Sequence, residues 1–276
     1  MTAAPANEAA TVQPGGGPRS IEDLLGTVSA SRLTCFQQCR LKFMFRYVLG
    51  LKKPKSPALH VGSAVHAALR FWNMARWRNE RPSLKDFHDA YAAQWGQLQE
   101  QEPVKWPDGE QDEQKKTGWR LLETVFRESP IPADERPEAV EVSVEANLTC
   151  LGLPKLIGVL DLVRAGGRIV DFKSSGKTPD PVQVAHMLDT QTTAYSILYR
   201  QSTGRPETAI ELHHLVKTKA PKLVVTVLEP ATETQRKRLF RVMESYVNGL
   251  ERQDWAPSPG LQCASCEFFN ECRLYC

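Results

Sequence analysis

Two short apolar runs on either side of a glycine-containing turn constrain the fold of this chain most strongly. Residues 156–163 and 168–172 are rich in Leu, Ile and Val, and residues 165–167 between them read Ala-Gly-Gly. This pattern predicts an antiparallel β-hairpin. A three-residue loop sets Asp161 directly opposite Asp171, whereas a two-residue loop would shift the register by one residue.

The hairpin carries three candidate catalytic residues, Asp161, Asp171 and Lys173. Directly opposed side chains have Cβ atoms roughly 5 Å apart, and two carboxylates there repel each other unless a cation compensates. Lys173 lies two residues after Asp171, so the strand period of two returns it to the same face. The arrangement predicts a divalent-metal site that can hold a phosphodiester. The alternative is a surface hairpin whose three charges are solvated.

Apolar residues at helical and strand spacing predict an α/β protein. Of the 276 residues 41% are hydrophobic, which is ordinary for a globular chain with a sizeable core. We expect a mixed central sheet of about five strands, flanked by helices and preceded by an N-terminal helical region. Helices are predicted at about 29–50, 62–78, from Ser83 through Trp95, 112–128, 183–202 and 231–251, and strands at 140–145, 156–163, 168–172, 208–216 and 222–228.

The domain organisation is predicted from composition. Residues 1–26 read as a disordered tail, because their Ala, Pro and Gly lack the basic and apolar regions of a signal peptide. The length allows one domain with embellishments or two small ones. We expect residues 27–276 to form one domain, in which 80–136 is an acidic helical insertion and 255–276 a cysteine-rich segment. No run approaches the roughly 18 apolar residues that span a membrane. We therefore expect a cytoplasmic protein without a membrane partner.

Positive charge is concentrated in one stretch near the N-terminus. Between Leu24 and Asn79 there are ten Lys or Arg residues and no Asp or Glu. Such a stretch favours a polyanionic partner, and the aromatic residues interleaved with it suit base stacking. Core packing on amphipathic helices is the alternative for those aromatics. The ten residues are Arg32, Arg40, Lys42, Arg46, Lys52, Lys53, Lys55, Arg70, Arg76 and Arg78.

Seven cysteines also require an explanation. In a reducing compartment, clustered thiols more often bind metal than form disulfides. Cys35 and Cys39 lie a helical turn apart, and Cys150 is expected to be an inert buried thiol. Four more occur in the last fourteen residues: Cys263, Cys266, Cys272 and Cys276.

Six segments, taken in chain order, resemble the motifs of one family. They are Ser29-Ala30-Ser31-Arg32-Leu33 with Cys39 and Phe43; Gly62-Ser63-Ala64-Val65-His66; Gly158 to Asp161; Asp171-Phe172-Lys173; Gln191-Thr192-Thr193-Ala194-Tyr195; and Cys263, Cys266 and Cys272. Over residues 29–276 the chain resembles the PD-(D/E)XK nuclease superfamily. Within it, the chain looks most like RecB-like domains with iron-sulfur cysteines, found in AddB-like helicase-nucleases and the nucleases of CRISPR adaptation. It departs from them at Arg40, where many relatives have proline, and in its surplus Cys35 and Cys276.

The resemblance implies a restriction-endonuclease-like core and a metal centre. His66, Asp161, Asp171 and the carbonyl of Phe172 would ligate Mg²⁺ or Mn²⁺, and Lys173 would orient the attacking water or offset charge in the transition state. Gln191 and Tyr195 lie four residues apart on one helix face, which in the family contacts DNA. The alternative for this pair is packing at the edge of the core.

The resemblance further implies a [4Fe-4S] cluster on Cys39, Cys263, Cys266 and Cys272. Such a cluster would join the first helix to the C-terminal segment and act as a staple, because closing a long loop restricts the unfolded chain. Structural Zn²⁺ uses the same four sulfurs and is the alternative. Cys35 could replace Cys39, and Cys276 could replace Cys272.

The function that we expect is that of a metal-dependent DNA nuclease, an exonuclease acting on single-stranded ends in repair, recombination or mobile-element defence. Its partners would be DNA that is single-stranded or has free ends and, in trans, a helicase or recombination protein. A non-cleaving module of the same fold, which binds DNA ends or a helicase, is the main alternative. A zinc-stapled regulatory protein is a third.

Overall fold

Six β-strands form one mixed sheet in the computed structural model, which describes residues 17–275. The sheet order is β1-β3-β4-β5-β6, with β2 also paired to β3. β4 and β5 run parallel, whereas β3–β4 and β5–β6 are antiparallel pairs. The predicted mixed sheet flanked by helices is confirmed. The strands are β1 (Thr27–Ser29), β2 (Ala139–Ala146), β3 (Lys155–Arg164), β4 (Arg168–Ser175), β5 (Ala209–Val216) and β6 (Lys222–Leu228).

Helices cover both faces of this sheet. α1, α2, α8 and α9 pack on one face, and α4, α5 and α6 pack on the other. The segment predicted as an insertion thus buries apolar side chains such as Phe87 and Leu121 within the second layer. The α-helices of the described residues are α1 (Ile21–Gly26), α2 (Ala30–Gln38), α3 (Arg40–Phe43), α4 (Pro57–Trp77), α5 (Leu84–Gln101), α6 (Glu110–Glu128), α7 (Pro181–Met187), α8 (Asp189–Thr203), α9 (Glu233–Glu251) and α10 (Phe269–Leu274).

Several sequence-based boundaries were wrong. The second helix begins at Pro57 and not near residue 62. Residues 21–26 do not belong to a tail, because α1 is capped by Ser20 and buries Leu24; the tail expected over residues 1–16 lies outside the described residues. The first long helix is interrupted at Cys39, whose backbone is extended, and continues as α3 and a π-helical turn. The helix expected at 183–202 is divided at Leu188 into α7 and α8.

The β3–β4 hairpin has the predicted three-residue turn. Arg164 pairs with Arg168 and Leu162 with Val170. Gly166 and Gly167 both have positive φ, of 79° and 75°, which side chains other than glycine rarely adopt. The register is therefore as expected, and the two-residue alternative is excluded.

The hairpin ladder stops one residue before the candidate carboxylates. One edge of β3 pairs with β2 from Leu156 to Val163. The other edge pairs with β1 through residues 155–157 and with β4 through residues 162–164, which leaves 158–161 without a strand partner on that side. The register still places Asp161 in line with Asp171, as expected, but the two residues lie beyond the last bonded pair of the ladder. β3 and β4 separate at Asp161, and we call this point the fork.

The C-terminal segment lies against the N-terminal helices. Phe268 packs on Leu41, Met44 and Phe45. Three ion pairs join the same two regions of the chain: Arg40 with Asp254, Arg46 with Glu267, and Lys53 with Glu271. Across the described residues, no helix combines the length and the apolar character that a membrane span requires.

Candidate active site

Asp161 is positioned by the fork itself. Its Oδ2 atom accepts a hydrogen bond from the backbone N–H of Phe172 at 3.0 Å, across the gap between β3 and β4. The same oxygen lies 3.6 Å from Nδ1 of His66, on α4. The helix that carries His66 is fixed by its N-cap, Ser56, and by apolar residues that pack on the sheet. Two predicted metal ligands, separated by almost a hundred residues in sequence, therefore meet at the fork.

Glu141 is a third member of this group, and sequence reasoning missed it. Candidate ligand atoms of His66, Glu141 and Asp161 all lie within 4.8 Å of one another. Glu141 is on β2, opposite Asp161 in the β2–β3 register, and its φ of 48° interrupts the extended strand. A positive φ is unusual for a residue with a side chain and marks local strain, which concentrates at functional sites. The alternation of Glu and Val along β2 was the signal available in the sequence, but it reads equally well as a half-exposed strand.

The carboxylates at the fork are held in an environment that opposes ionisation. The pKa of Asp161 is raised from 3.8 to about 6, mainly by burial; the neighbouring Asp171 and Glu141 contribute to this rise, and His66 opposes it. Burial also raises the pKa of Glu141. Clustered carboxylates of this kind need a compensating cation when they are ionised.

Asp171 forms a separate set of contacts on the neighbouring strand. Its Oδ1 atom accepts hydrogen bonds from Nζ of Lys173 and from the hydroxyl of Tyr195, both at 3.0 Å. Its Oδ2 atom is buried and accepts no hydrogen bond within the described residues, although Nζ of Lys173 lies 2.8 Å away. The predicted association of Asp171 with Lys173 is present, and Asp161 is grouped instead with His66 and Glu141.

The contacts of Tyr195 differ from those expected of a DNA-binding residue. Its side chain is only 7% exposed, and its hydroxyl lies between Asp171 and Gln191, whose Nε2 donates to it at 2.6 Å. Burial and the nearby carboxylates raise the pKa of Tyr195 well above its ordinary value. Tyr195 therefore remains a hydrogen-bond donor that holds Asp171 in place. Gln191 is half-buried, and its contact with DNA stays a prediction.

The residues at the fork fit a hard divalent cation. Carboxylate oxygens and one imidazole nitrogen are ligands that Mg²⁺ and Mn²⁺ accept. The buried Oδ2 atom of Asp171 has Nζ of Lys173 2.8 Å away as its charged partner and accepts no geometrically aligned hydrogen bond within the described residues, so this oxygen could also serve as a ligand. The carbonyl of Phe172 lies beside the group, since its N–H is bound to Asp161, and its role as a ligand stays a prediction.

Most of the basic residues of the N-terminal stretch have partners inside the protein. Arg40, Arg46 and Lys53 pair with the C-terminal segment, and Lys55 pairs with Glu102. Two more are largely buried and donate to carbonyl oxygens: Arg32 to Thr27, and Arg76 to Pro132 and Glu135. The remaining four are Lys42, Lys52, Arg70 and Arg78. Most of the positive charge in this stretch is thus engaged in contacts within the protein, whereas the sequence suggested a polyanionic partner.

The four cysteines expected to bind a cluster line one cavity of about 70 Å³. Burial and the other three thiols raise the pKa of Cys272. No three of these sulfurs lie within 4.8 Å of one another, although all four belong to the described residues. A tetrahedral zinc site holds its sulfurs about 3.8 Å apart, as Zn–S bonds near 2.3 Å require. The four sulfurs are Sγ of Cys39, Cys263, Cys266 and Cys272.

The other cysteines are placed differently. Cys35 is buried in the core, does not line the cavity, and has a pKa raised by burial to about 11. It is therefore poorly placed to replace Cys39. Cys150 is exposed, so the expectation of a buried thiol was wrong; it lies within a short 3-10 helical turn, Thr149–Leu151. Cys276 lies outside the described residues.

Comparisons with known proteins agree with this architecture. A model of the PD-(D/E)XK nuclease superfamily matches residues 27–273. A solved structure from Eubacterium rectale, named as a proposed exonuclease, is similar with a TM-score of 0.59 and 17% identity, over 90% of this chain and 89% of that chain. The structure of SSO0001 aligns with a TM-score of 0.34 and 15% identity, over 89% and 95%, which is too low a score to bear on the fold. Comparison with curated proteins gave no match.

Proposed function

Because the chain belongs to the PD-(D/E)XK nuclease superfamily, we propose that it is a Mg²⁺- or Mn²⁺-dependent deoxyribonuclease that acts as an exonuclease on single-stranded ends. The observation that carries this proposal is the fork. There the ligand atoms of His66, Glu141 and Asp161 lie within 4.8 Å of one another, next to the Asp171–Lys173 pair. Such a combination suits hydrolysis of a phosphodiester.

Each residue at the fork has a distinct role in this mechanism. His66, Glu141, Asp161 and Asp171 would hold the cation, with the carbonyl of Phe172 as a further ligand. A divalent ion held there would supply polarisation of the scissile phosphate and a lower pKa for the attacking water. Lys173 orients that water and offsets the charge that develops on the phosphate oxygens. Tyr195 fixes the carboxylate of Asp171, and Gln191 contacts the DNA strand.

The cysteine cavity supports a second proposal, a structural [4Fe-4S] cluster on Cys39, Cys263, Cys266 and Cys272. All four cysteines line one cavity, and the resemblance of their order and spacing to iron-sulfur members of the family favours a cluster over a single zinc ion. A cluster would fix the C-terminal segment to the break between α2 and α3. Analysis of an anaerobic preparation should give iron and acid-labile sulfide in equal amounts, and zinc in place of iron would contradict this assignment. A helicase partner, the biological pathway and the cytoplasmic location remain predictions.

The nuclease proposal is tested directly by DNA cleavage. Anaerobically prepared protein should cleave end-labelled single-stranded DNA with Mn²⁺ or Mg²⁺, and labels at the two ends report the polarity. Double-stranded DNA and a circular single strand test strand preference and the need for an end. Without added metal, cleavage should cease.

Lys173→Ala is the decisive variant. It should abolish metal-dependent cleavage while leaving DNA binding largely intact, because it removes a group that acts on the transition state. Lys105→Ala, at an exposed lysine, is the control with the same change of charge. Cleavage retained by Lys173→Ala would refute the proposed site. Binding by wild-type protein without cleavage of any DNA end would favour the non-cleaving module.

A further inference from the structure

A second basic region lies at the edge of the sheet next to the fork. Because β4 and β5 run parallel and in register, with Ser175 beside Val216, their carboxyl ends meet at the same edge. The segment after β5 turns back into β6 and carries Lys217, Lys219 and Lys222. We call residues 217–222 the lysine turn.

The lysine turn is connected directly to the strand that carries the catalytic residues. The backbone N–H of Lys217 donates to the carbonyl of Ser175 at 2.7 Å. Ser175 lies two residues after Lys173 on β4, a separation of about 7 Å along a strand. Lys177 follows in the loop after β4. A chain of positive charge thus continues outward from the fork.

Charge in this region has no internal compensation. Residues 172–179 and 212–228 contain no Asp or Glu. Within residues 17–275, neither Lys177 nor any lysine of the turn forms an ion pair. Glu128 contacts the neighbouring residue Leu223, whose backbone N–H donates to it, but its carboxylate pairs with Arg127.

Lys217 supplies an independent sign that an anion is needed. It is only half-exposed, and burial lowers its pKa without any opposing carboxylate. A partly desolvated ammonium group without a counterion is unfavourable. A phosphate from a strand lying across the sheet edge would provide that counterion.

We propose that Lys177 and the lysine turn bind the sugar-phosphate backbone of the DNA strand whose scissile phosphate lies at the fork. The inference rests on the proposed nuclease function and adds the surface along which the strand runs. These lysines contact phosphates rather than bases, so they contribute affinity without sequence preference. The N-terminal basic stretch, whose charges are mostly paired, is not the main phosphate-binding surface.

The test compares two triple variants with the same loss of charge. The first is Lys217→Ala, Lys219→Ala and Lys222→Ala; the control is Lys85→Ala, Lys105→Ala and Lys116→Ala, at exposed lysines of the α5–α6 region. Both carry Asp171→Asn to prevent cleavage. Binding of a fluorescein-labelled single-stranded oligodeoxynucleotide is measured by anisotropy over a series of salt concentrations, after circular dichroism has verified folding.

The lysine-turn variant should bind about tenfold more weakly than its Asp171→Asn parent. The slope of log Kd against log salt concentration should fall by about 2, which corresponds to three lost phosphate contacts on a single strand. The control should stay within about twofold of that parent. Equal losses in both variants, or an unchanged salt slope in the lysine-turn variant, would overturn the inference.

Two further measurements keep the outcomes separate. If the triple variant does not fold, Lys219→Glu reverses one exposed charge and should still weaken binding about fivefold; unchanged binding there would equally overturn the inference. If the wild-type protein cleaves no DNA, the proposed function fails, whereas the binding comparison still decides whether the lysine turn holds the strand.

Discussion

The fork and the cysteine cavity are both candidate metal sites, but their surroundings differ. The fork contains buried carboxylates and a strained backbone, whereas the cavity lies in a well-packed segment. At the fork, the pKa of Asp161 is raised to about 6, mainly by burial, Glu141 has a φ of 48°, and the carboxylate of Asp171 is buried. The cavity instead borders an apolar cluster around Phe268 and lies in a segment held by three ion pairs.

This difference assigns different contributions to the two sites: the fork to activity and the cavity to the stability of the fold. Desolvated carboxylates and a strained backbone destabilise a metal-free protein, and proteins retain such features where activity requires them. Cysteine ligands between distant parts of a chain stabilise the folded state. We therefore expect substitutions at the fork to lower activity without lowering stability, and substitutions at the cavity to do the reverse.

The largest expected effect is the loss of activity in Asp161→Asn. Hydrolysis with Mn²⁺ should fall about 10³-fold, because a metal ligand is lost. The Tm in EDTA should stay the same or rise, since the amide still accepts from the N–H of Phe172 and the buried charge of Asp161 is removed. Hydrolysis rates and thermal unfolding are compared with those of Asp134→Asn, an exposed control. A lower Tm with retained hydrolysis would contradict the expectation that the fork contributes to activity and not to stability.

Cys266→Ser should have the opposite profile. Loss of the cluster should lower the free energy of unfolding by about 3 kcal/mol, because the loop between Cys39 and Cys263 is no longer closed. Hydrolysis per folded molecule should remain within about twofold of wild type, as the cavity and the fork share no residue. Denaturant unfolding, iron content and hydrolysis are measured beside Cys150→Ser, an exposed cysteine. A loss of turnover in the folded fraction would show that the two sites are coupled.

Two substitutions of Glu141 distinguish the effect of its strained backbone from the effect of its charge. Glu141→Gly permits the positive φ and should raise the stability of the metal-free protein by about 1 kcal/mol. Glu141→Gln keeps the strained backbone and should leave that part of the stability unchanged. Both should reduce hydrolysis about 10²-fold, because each removes the carboxylate. If Gly and Gln give equal stability, the backbone at Glu141 is not strained.

Acid should weaken metal binding at the fork. The pKa of Asp161 in the metal-free fold is about 6, above its usual 3.8, so the folded protein binds a proton more tightly than the unfolded chain does. The resulting stabilisation is complete below pH 3.8 and is lost as the pH rises through 6. A metal competes with this proton, so the rise in Tm caused by Mn²⁺ should grow as the pH increases through 6. Thermal shifts with Mn²⁺ and with EDTA test this, and a shift independent of pH, or one that persists in Asp161→Asn, would contradict it.

Local sequence signals predicted the hairpin but not the fork. The turn at residues 165–167 and its register follow from glycines and alternating apolar residues, which act over short distances. The end of the ladder at Asp161 depends on β1, a strand of three residues that pairs with residues 155–157. A segment so short and so distant in sequence leaves no periodic signal.

The roles of charged residues were the least predictable part. Glu141 lies in a strand whose alternation fits a solvent-facing Glu, and only the fold brings it to His66. The acid-free N-terminal stretch suggested DNA binding because its partner carboxylates, such as Asp254 and Glu267, lie more than 200 residues later in the chain. The lysines near residue 217 form no recognisable motif in the sequence, since their position next to the fork comes from the parallel pairing of β4 with β5.

The smallest expected effect concerns how the C-terminal segment is attached. Arg46 and Glu267 are 37% and 33% exposed, and such pairs contribute less than about 1 kcal/mol. A double-mutant cycle of Arg46→Ala and Glu267→Ala, followed by denaturant unfolding, should therefore give a small coupling energy. If Cys266→Ser lowers the free energy of unfolding by several times this coupling energy, the cluster is the main interaction that attaches the segment, and the ion pairs only orient it. The opposite result would be a coupling energy as large as the loss of unfolding free energy in Cys266→Ser. The ion pairs would then contribute as much as the cluster to holding the C-terminal segment in place.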